Sequence, residues 1–155
     1  MAGYRATTDW RLGEGEDFAK GRYSRGHSVV FGGGHAAPGT ASAHVIGNRW
    51  SVPGAVDPEE MLVASISACH LLTFLHLAAK ARIDVVEYED RAEAEMPEDE
   101  EPVRITRISL RPRIVVASDV PEERVARLCE LAHERCYVAN SLKSEVTLDA
   151  TIDRA

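Results

Sequence analysis

An α+β domain with largely antiparallel sheet is what this chain of 155 residues predicts. Two observations carry that expectation. Period-two apolar patterns bounded by glycine-rich turns fill the first third, the middle and the end of the chain, and two helical patterns interrupt them. The resulting order, β-β-β, α, β-β, α, β, contains no repeat or low-complexity linker, and residues 1–155 are one domain's length of chain.

The amino-terminal third supplies three strand candidates, YRATTDW, RYSRGHSVVF and ASAHVI; the second is apolar at Tyr23, Val29 and Phe31. GGG at 32–34 lacks a following Gly-Lys-Ser/Thr and reads as a turn rather than a phosphate loop. The stretch DPEEMLVASISACHLLTFLHLAAK, residues 57–80, then predicts a long helix. Asp57 suits its N-cap, Pro58 its first position and Glu60 the return arm of a capping box. Lys80 to Arg82 suit its C-terminus. Next, IDVVEYEDRAEAEM and VRITRISLRPRIVVA predict an antiparallel hairpin whose tip is the acidic loop PEDEEP. A second helix runs from Pro121 through EERVARLCELAHER, with Val125, Leu128, Cys129 and Ala132 on its apolar stripe. A break and short helix follow at YVANSLKS, and EVTLDATI is the last strand.

Met61 to Ala79 carries no formal charge and nearly reaches the roughly 20 residues that span a bilayer. Its serines, threonine, cysteine and histidines, and the polar sequence around it, predict a core helix buried on most faces instead. A chain this short cannot easily cover such a helix all round, which points to a second copy. A net charge of −7 without a dense basic cluster argues against nucleic acid. The acidic amino terminus reads as neither secretory signal nor transit peptide. Three cysteines without closely spaced pairs fit a reducing cytoplasm rather than a disulfide framework.

Among those cysteines, Cys129 falls on an apolar stripe and reads as packing. Were the helix continuous to Cys136, the two would stand roughly 10 Å apart along its axis, beyond the ~7 Å Cα limit of a disulfide. Cys136 precedes the short helix, whose N-terminus favours a thiolate. Cys69 lies mid-helix, where either packing or chemistry accounts for it, and activation requires a cation from elsewhere. Glu59 has no local task once Glu60 closes the capping box. It stands roughly 15 Å from Cys69 along one helix, so the two could meet only between antiparallel helices of two chains. His76 reads as a hydrogen-bonded core residue, and His27 shares a strand face with Arg25. His35, His44 and His133 carry no separable signal, and Trp10 and Trp50 suit core, interface or pocket wall alike.

DPEEMLVASISACH, with a second cysteine in HERCYVANSL before the closing VTLDATI, resembles the OsmC/Ohr family of osmotically inducible and organic hydroperoxide resistance proteins. The resemblance spans nearly the whole chain. It implies an OsmC-like fold: an intertwined homodimer with antiparallel sheets around a long buried central helix and active sites at the subunit interface. It also implies a peroxidatic cysteine at Cys69, a resolving cysteine at Cys136 and a thiolate-holding glutamate at Glu59. For the partner arginine Arg25 is the candidate, with Arg22 behind it. Leu62, Ile66 and Leu72 would give an apolar lining suited to organic hydroperoxides. No metal or haem is implied, only an external dithiol such as dihydrolipoamide. Departures from the family pattern are His70 in place of an aromatic residue, Tyr137 in place of proline, and RYSRGHS in place of a glycine-rich arginine loop. They suggest an OsmC-like branch. Two other readings stand beside the peroxidase: metal binding through Cys129, His133 and Cys136, and a dimer that binds a small hydrophobic molecule without turning over peroxide.

Overall fold

The computed structural model describes residues 1–155, which divide into two compact units, Met1–Met61 and Leu62–Ala155.

In the first unit β1 (Ala6–Asp9), β2 (His27–Phe31) and β3 (Ala36–Gly39) form an antiparallel meander with β2 central. The β2–β3 connection is the GGG turn, closed by Gly34 N–H donating to Phe31 O at 2.8 Å with Gly34 at φ +86°. β3 was not expected. Conversely ASAHVI is no strand: α1 (Ala43–Ile46) is a single turn of helix there, capped by Gly47 at φ +73°. All three amino-terminal stretches thus differ from expectation in extent or type: β1 covers only Ala6–Asp9 of YRATTDW, β2 begins at His27 with RYSRG before it irregular, and ASAHVI is helical.

Helix α2 (Pro58–Lys80) starts where its cap residues place it. Glu60 N–H donates to Asp57 Oδ1 at 2.8 Å, and Asp57 N–H donates to Glu60 Oε2 at 3.2 Å, the reciprocal capping box. It ends in a Schellman turn: Ile83 N–H reaches Ala78 O at 3.0 Å, Arg82 N–H reaches Ala79 O at 3.1 Å, and Arg82 takes φ 57°. Within the second unit α2 buries one stripe, Ile66, His70, Phe74, Leu77 and Ala78. One chain thus leaves the other faces of α2 uncovered, as expected of so short a chain. Leu72 and Leu75 on other faces are 66% and 38% exposed.

The second unit is a long hairpin bent in its middle. One leg is β4 (Val85–Asp90) and β5 (Glu93–Glu95); the other is β6 (Arg107–Leu110) and β7 (Pro112–Val116). β5 pairs with β6 next to the acidic tip, and β4 pairs with β7 at the base, both antiparallel. At the bend the Asp90 carboxylate accepts from Arg111 N–H at 2.7 Å and from the Ser67 hydroxyl of α2 at 2.6 Å. After β7, helix α3 (Glu122–Glu134) crosses back and buries Val125, Cys129 and Ala132. The last strand is also bent, into β8 (Glu145–Leu148) and β9 (Thr151–Arg154). These pair parallel to β6 and β7, the exceptions in a sheet structure that is otherwise antiparallel, as expected. Parallel neighbours need a crossover of a dozen or so residues, and α3 is that crossover.

Each central strand carries an arginine that reaches a carboxylate on both neighbours. Arg107 meets Glu95 at 3.8 Å and Glu145 at 3.2 Å; Arg113 meets Glu87 at 3.1 Å and Asp153 at 2.8 Å. Exposed pairs of this kind add little stability, but they favour this strand order over alternatives that oppose like charges. Two apolar clusters lie on the bent ribbon. Phe74, Leu77 and Ala78 join α3 and β7 in one, and Ile66 joins Ile108 and Leu110 of β6 in the other.

Removing the α2 cap with Asp57→Ala should lower stability by about 1 kcal/mol, read from the midpoint of urea unfolding. An unchanged midpoint would show that the cap contributes nothing.

Candidate active site

Cys69 and Cys136 are the pair that folding brings together. Cys69 lies on α2 one residue from the buried stripe and is half-buried. Cys136 follows the end of α3, so the helix is not continuous between Cys129 and Cys136, and its side chain is fully buried. The Cys69 side chain lies near enough to Cys136 to perturb its thiol. The Cys136 sulfur also approaches Ile66 O, one turn before Cys69 on α2, at 4.0 Å. All three cysteines are free thiols.

The environment of Cys136 contains opposing influences. Burial pushes its thiol up from the ordinary range, and the neighbouring Cys69 adds to that. The backbone N–H groups of Val138 and Ala139, where the chain enters the 3₁₀ turn Ala139–Ser141, pull the other way by donating to the sulfur. The expectation that a helix N-terminus would favour a thiolate is met in geometry and outweighed by desolvation. Cys129 is pushed up to about 12 by burial and stays a thiol at neutral pH, as its place on the apolar stripe implies.

His70 anchors the framework that carries the two thiols. Its ring is fully buried, with Nδ1 2.7 Å from the Tyr88 hydroxyl and Nε2 3.1 Å from Cys129 O. A carbonyl only accepts, so Nε2 carries the hydrogen and Nδ1 accepts from Tyr88 O–H. This neutral tautomer joins α2, α3 and β4 with no unused ring nitrogen. Burial depresses the His70 pKa below 6.5 and raises the Tyr88 hydroxyl above its ordinary range. The sequence marked His70 only as a departure at an aromatic position and held no sign of Tyr88 as its partner. His76, expected in the core, is exposed, while the buried histidine is the one beside Cys69.

The remaining expected residues divide differently. Arg25, in the first unit, donates from Nη1 to Tyr23 O at 2.6 Å, with its guanidinium carbon 3.6 Å above the Tyr23 ring. Arg22 is exposed. Glu59 is half-buried and has no ion pair or hydrogen bond within the chain, so no Arg25–Glu59 pair forms in one copy. Leu62, Ile66 and Leu72 do not form a common lining: Ile66 is fully buried in the β6 cluster with Leu62 packed on it, and Leu72 faces outward. Cys129 faces His70, Cys136 faces Cys69, and His133 Nδ1 is buried without a partner. No three metal-ligating side chains converge, so the Cys129–His133–Cys136 set does not form.

His27 does share surroundings with Arg25. Its Nδ1 is 2.9 Å from Arg25 O, and both side chains line a cleft of about 400 Å³ with Thr8, Trp10, Phe18 and Tyr23. Trp10, Phe18 and Tyr23 touch one another, with ring centroids 4.7 to 5.8 Å apart. The signal was present in the local crowding of aromatic residues between positions 10 and 23, in a chain that is only 6% aromatic.

Replacing His70 tests the anchor. His70→Phe leaves the Cys129 carbonyl and Tyr88 hydroxyl without this partner and should cost roughly 1–3 kcal/mol. Unfolded His70 takes a proton near pH 6.5, whereas the folded ring does so only at lower pH. Its contribution is therefore whole above about pH 6.5 and is lost as pH falls below it. Wild-type unfolding free energy should fall over that window with a steeper slope than the variant's; parallel slopes would refute the neutral clamp.

Comparison with known proteins places this geometry in a family. The sequence pattern of "OsmC-like protein" matches residues 51–151. The chain is similar to the solved structure of an OsmC-like protein of unknown function from Vibrio cholerae O1 biovar eltor. That structure is 36% identical, with 97% of this chain and 99% of that chain covered and a TM-score of 0.92. At fold level it is similar to an organic hydroperoxide resistance protein from Elizabethkingia anophelis, at 18% identity, coverage of 100% and 98%, and a TM-score of 0.70. It is likewise similar to the organic hydroperoxide resistance protein OhrB of Bacillus subtilis, at 16% identity, coverage of 97% and 98%, and a TM-score of 0.64. No curated protein sequence matches significantly. With the family pattern over well over half its residues and a 36%-identical relative along nearly its full length, the chain belongs to the OsmC/Ohr family of OsmC-like proteins.

Proposed function

We propose that this protein is a cytoplasmic, thiol-dependent peroxidase that reduces organic hydroperoxides and works as a homodimer. The observation that carries the reading is the proximity of a half-buried Cys69 to a buried Cys136, whose sulfur lies 4.0 Å from Ile66 O one turn before Cys69 on α2. The hydroperoxide resistance proteins of similar fold supply the reaction class.

In this mechanism the Cys69 thiolate attacks the distal oxygen of ROOH. The O–O bond breaks, RO⁻ leaves and takes a proton to become ROH, and Cys69 becomes a sulfenic acid. The Cys136 thiol then attacks that sulfur, expels water and forms the Cys69–Cys136 disulfide. An external dithiol, such as dihydrolipoamide, restores both thiols by two exchanges and is itself oxidised to a disulfide. Arg25 would stabilise the thiolate and the departing oxygen, and Glu59 would orient the guanidinium. Both have capacity for this: Arg25 has no carboxylate partner within the chain, and Glu59 has no cation. No metal or haem takes part. The dimer reading rests on α2, whose most apolar 18-residue window is only 28% buried and whose Leu72 and Leu75 face outward.

A second reading is an OsmC-like dimer that binds a small hydrophobic ligand without turnover. It is favoured by the aromatic cleft of the first unit.

Purified protein given tert-butyl hydroperoxide and dihydrolipoamide should consume peroxide, and Cys69→Ser should lose about three orders of magnitude or more of that rate, as removal of a nucleophile does. After one equivalent of peroxide, mass spectrometry should find the Cys69–Cys136 disulfide. Equal slow consumption by both proteins, with thiols unchanged, would leave the binding reading. Sedimentation should give twice the 17.0 kDa of one chain, and Leu72→Glu should shift it toward one; a wild-type monomer would remove the dimer.

A further inference from the structure

The first unit's cleft has a chemistry of its own. Trp10 is held in place by its indole N–H, which donates to Ser24 O at 2.9 Å. Trp10 meets Tyr23 edge-on at 5.4 Å, and Phe18 lies 4.7 Å from Tyr23. Phe18 is nevertheless 58% exposed and Trp10 37%, so these rings form a wall rather than a packed interior. Glu16 stiffens the loop behind them, accepting from Ser24 N–H at 2.7 Å and from Gly13 N–H at 2.8 Å.

Two polar groups stand beside the aromatic wall, each with unused capacity. Arg25 spends one N–H on Tyr23 O and has no ion pair, leaving further donors on its guanidinium. His27 faces a carbonyl through Nδ1, so in the neutral ring Nδ1 carries the hydrogen and Nε2 is an acceptor. The ring lies against Gly39, where an added Cβ would stand 2.3 Å from Nε2, so only glycine lets the imidazole occupy this position. A volume of about 400 Å³ is the size of a small-molecule site.

We propose that this cleft seats a single aromatic ring carrying a hydroxyl or hydroperoxyl head. The ring lies against Trp10, Phe18 and Tyr23, Arg25 donates to the head's oxygen, and His27 Nε2 accepts its hydrogen. Resting on the peroxidase reading for the hydroperoxyl head, it makes arylalkyl hydroperoxides the preferred substrates over linear ones.

The test uses the unreactive product alcohols, so it does not depend on turnover. 2-Phenylpropan-2-ol and 2-methyloctan-2-ol, tertiary alcohols of equal carbon count, are titrated by calorimetry into the reduced full-length protein. The ring-bearing alcohol should bind about tenfold more tightly, and Phe18→Ala should remove that preference. Nuclear Overhauser contacts from the probe ring to the Trp10 indole in wild type check the site without relying on a variant. Equal affinities, or a preference that survives Phe18→Ala without Trp10 contacts, would overturn the assignment. Ring binding together with absent peroxide consumption would sink the peroxidase reading and leave the ring seat standing.

Discussion

The relative placement of the two neighbouring thiols depends on a buried imidazole. α2 carries Cys69 and the end of α3 carries Cys136, and the direct polar link between these helices is His70 Nε2–H to Cys129 O at 3.1 Å. Burying a histidine is costly unless both nitrogens are used. Here Tyr88 from β4 fills the second position, so one neutral ring joins two helices and the sheet beneath them. A side chain of similar size without hydrogen bonds could fill the volume but would not fix how far α3 slides along α2.

The bent ribbon gives that clamp something to act against. β4, β7 and β9 support Phe74, Leu77 and the α3 stripe, whereas β6 and β8 support Ile66 and the segment after Cys136. His70 falls between the stripe residues assigned to the two clusters, and the Asp90 carboxylate ties the hinge of the ribbon to Ser67 one turn earlier. The polar contacts of α2 within this unit thus lie near the bend, beside the thiols, while its apolar contacts lie on either side.

Much of this was legible in the sequence because local rules act locally. Asp57, Pro58 and Glu60 marked the start of α2 correctly since a capping box is satisfied within one turn. The stripe of α3 held for the same reason, with Val125, Cys129 and Ala132 buried together. What was illegible required knowledge of partners. ASAHVI has strand-like residues, but its backbone pairs with no neighbouring strand and closes a helical turn under Gly47. The direction of the last strand is decided by the crossover before it, which alternation within EVTLDATI does not reveal. Two histidines six residues apart on α2 look alike in sequence, yet His70 meets Tyr88 and Cys129 while His76 points outward. The proximity of Cys69 to Cys136 was inferable only through the family resemblance.

The unequal burial of the paired sulfurs also gives any disulfide between them a polarity. Only Cys69 has exposed surface in this fold, while Cys136 is enclosed. An incoming thiolate must approach in line with the S–S bond, so steric access selects the Cys69 sulfur and makes Cys136 the leaving group. The backbone of Val138 and Ala139 already favours negative charge on that sulfur. A mixed disulfide formed by such an attack would reside on α2, and the charge released would be received by the turn after α3.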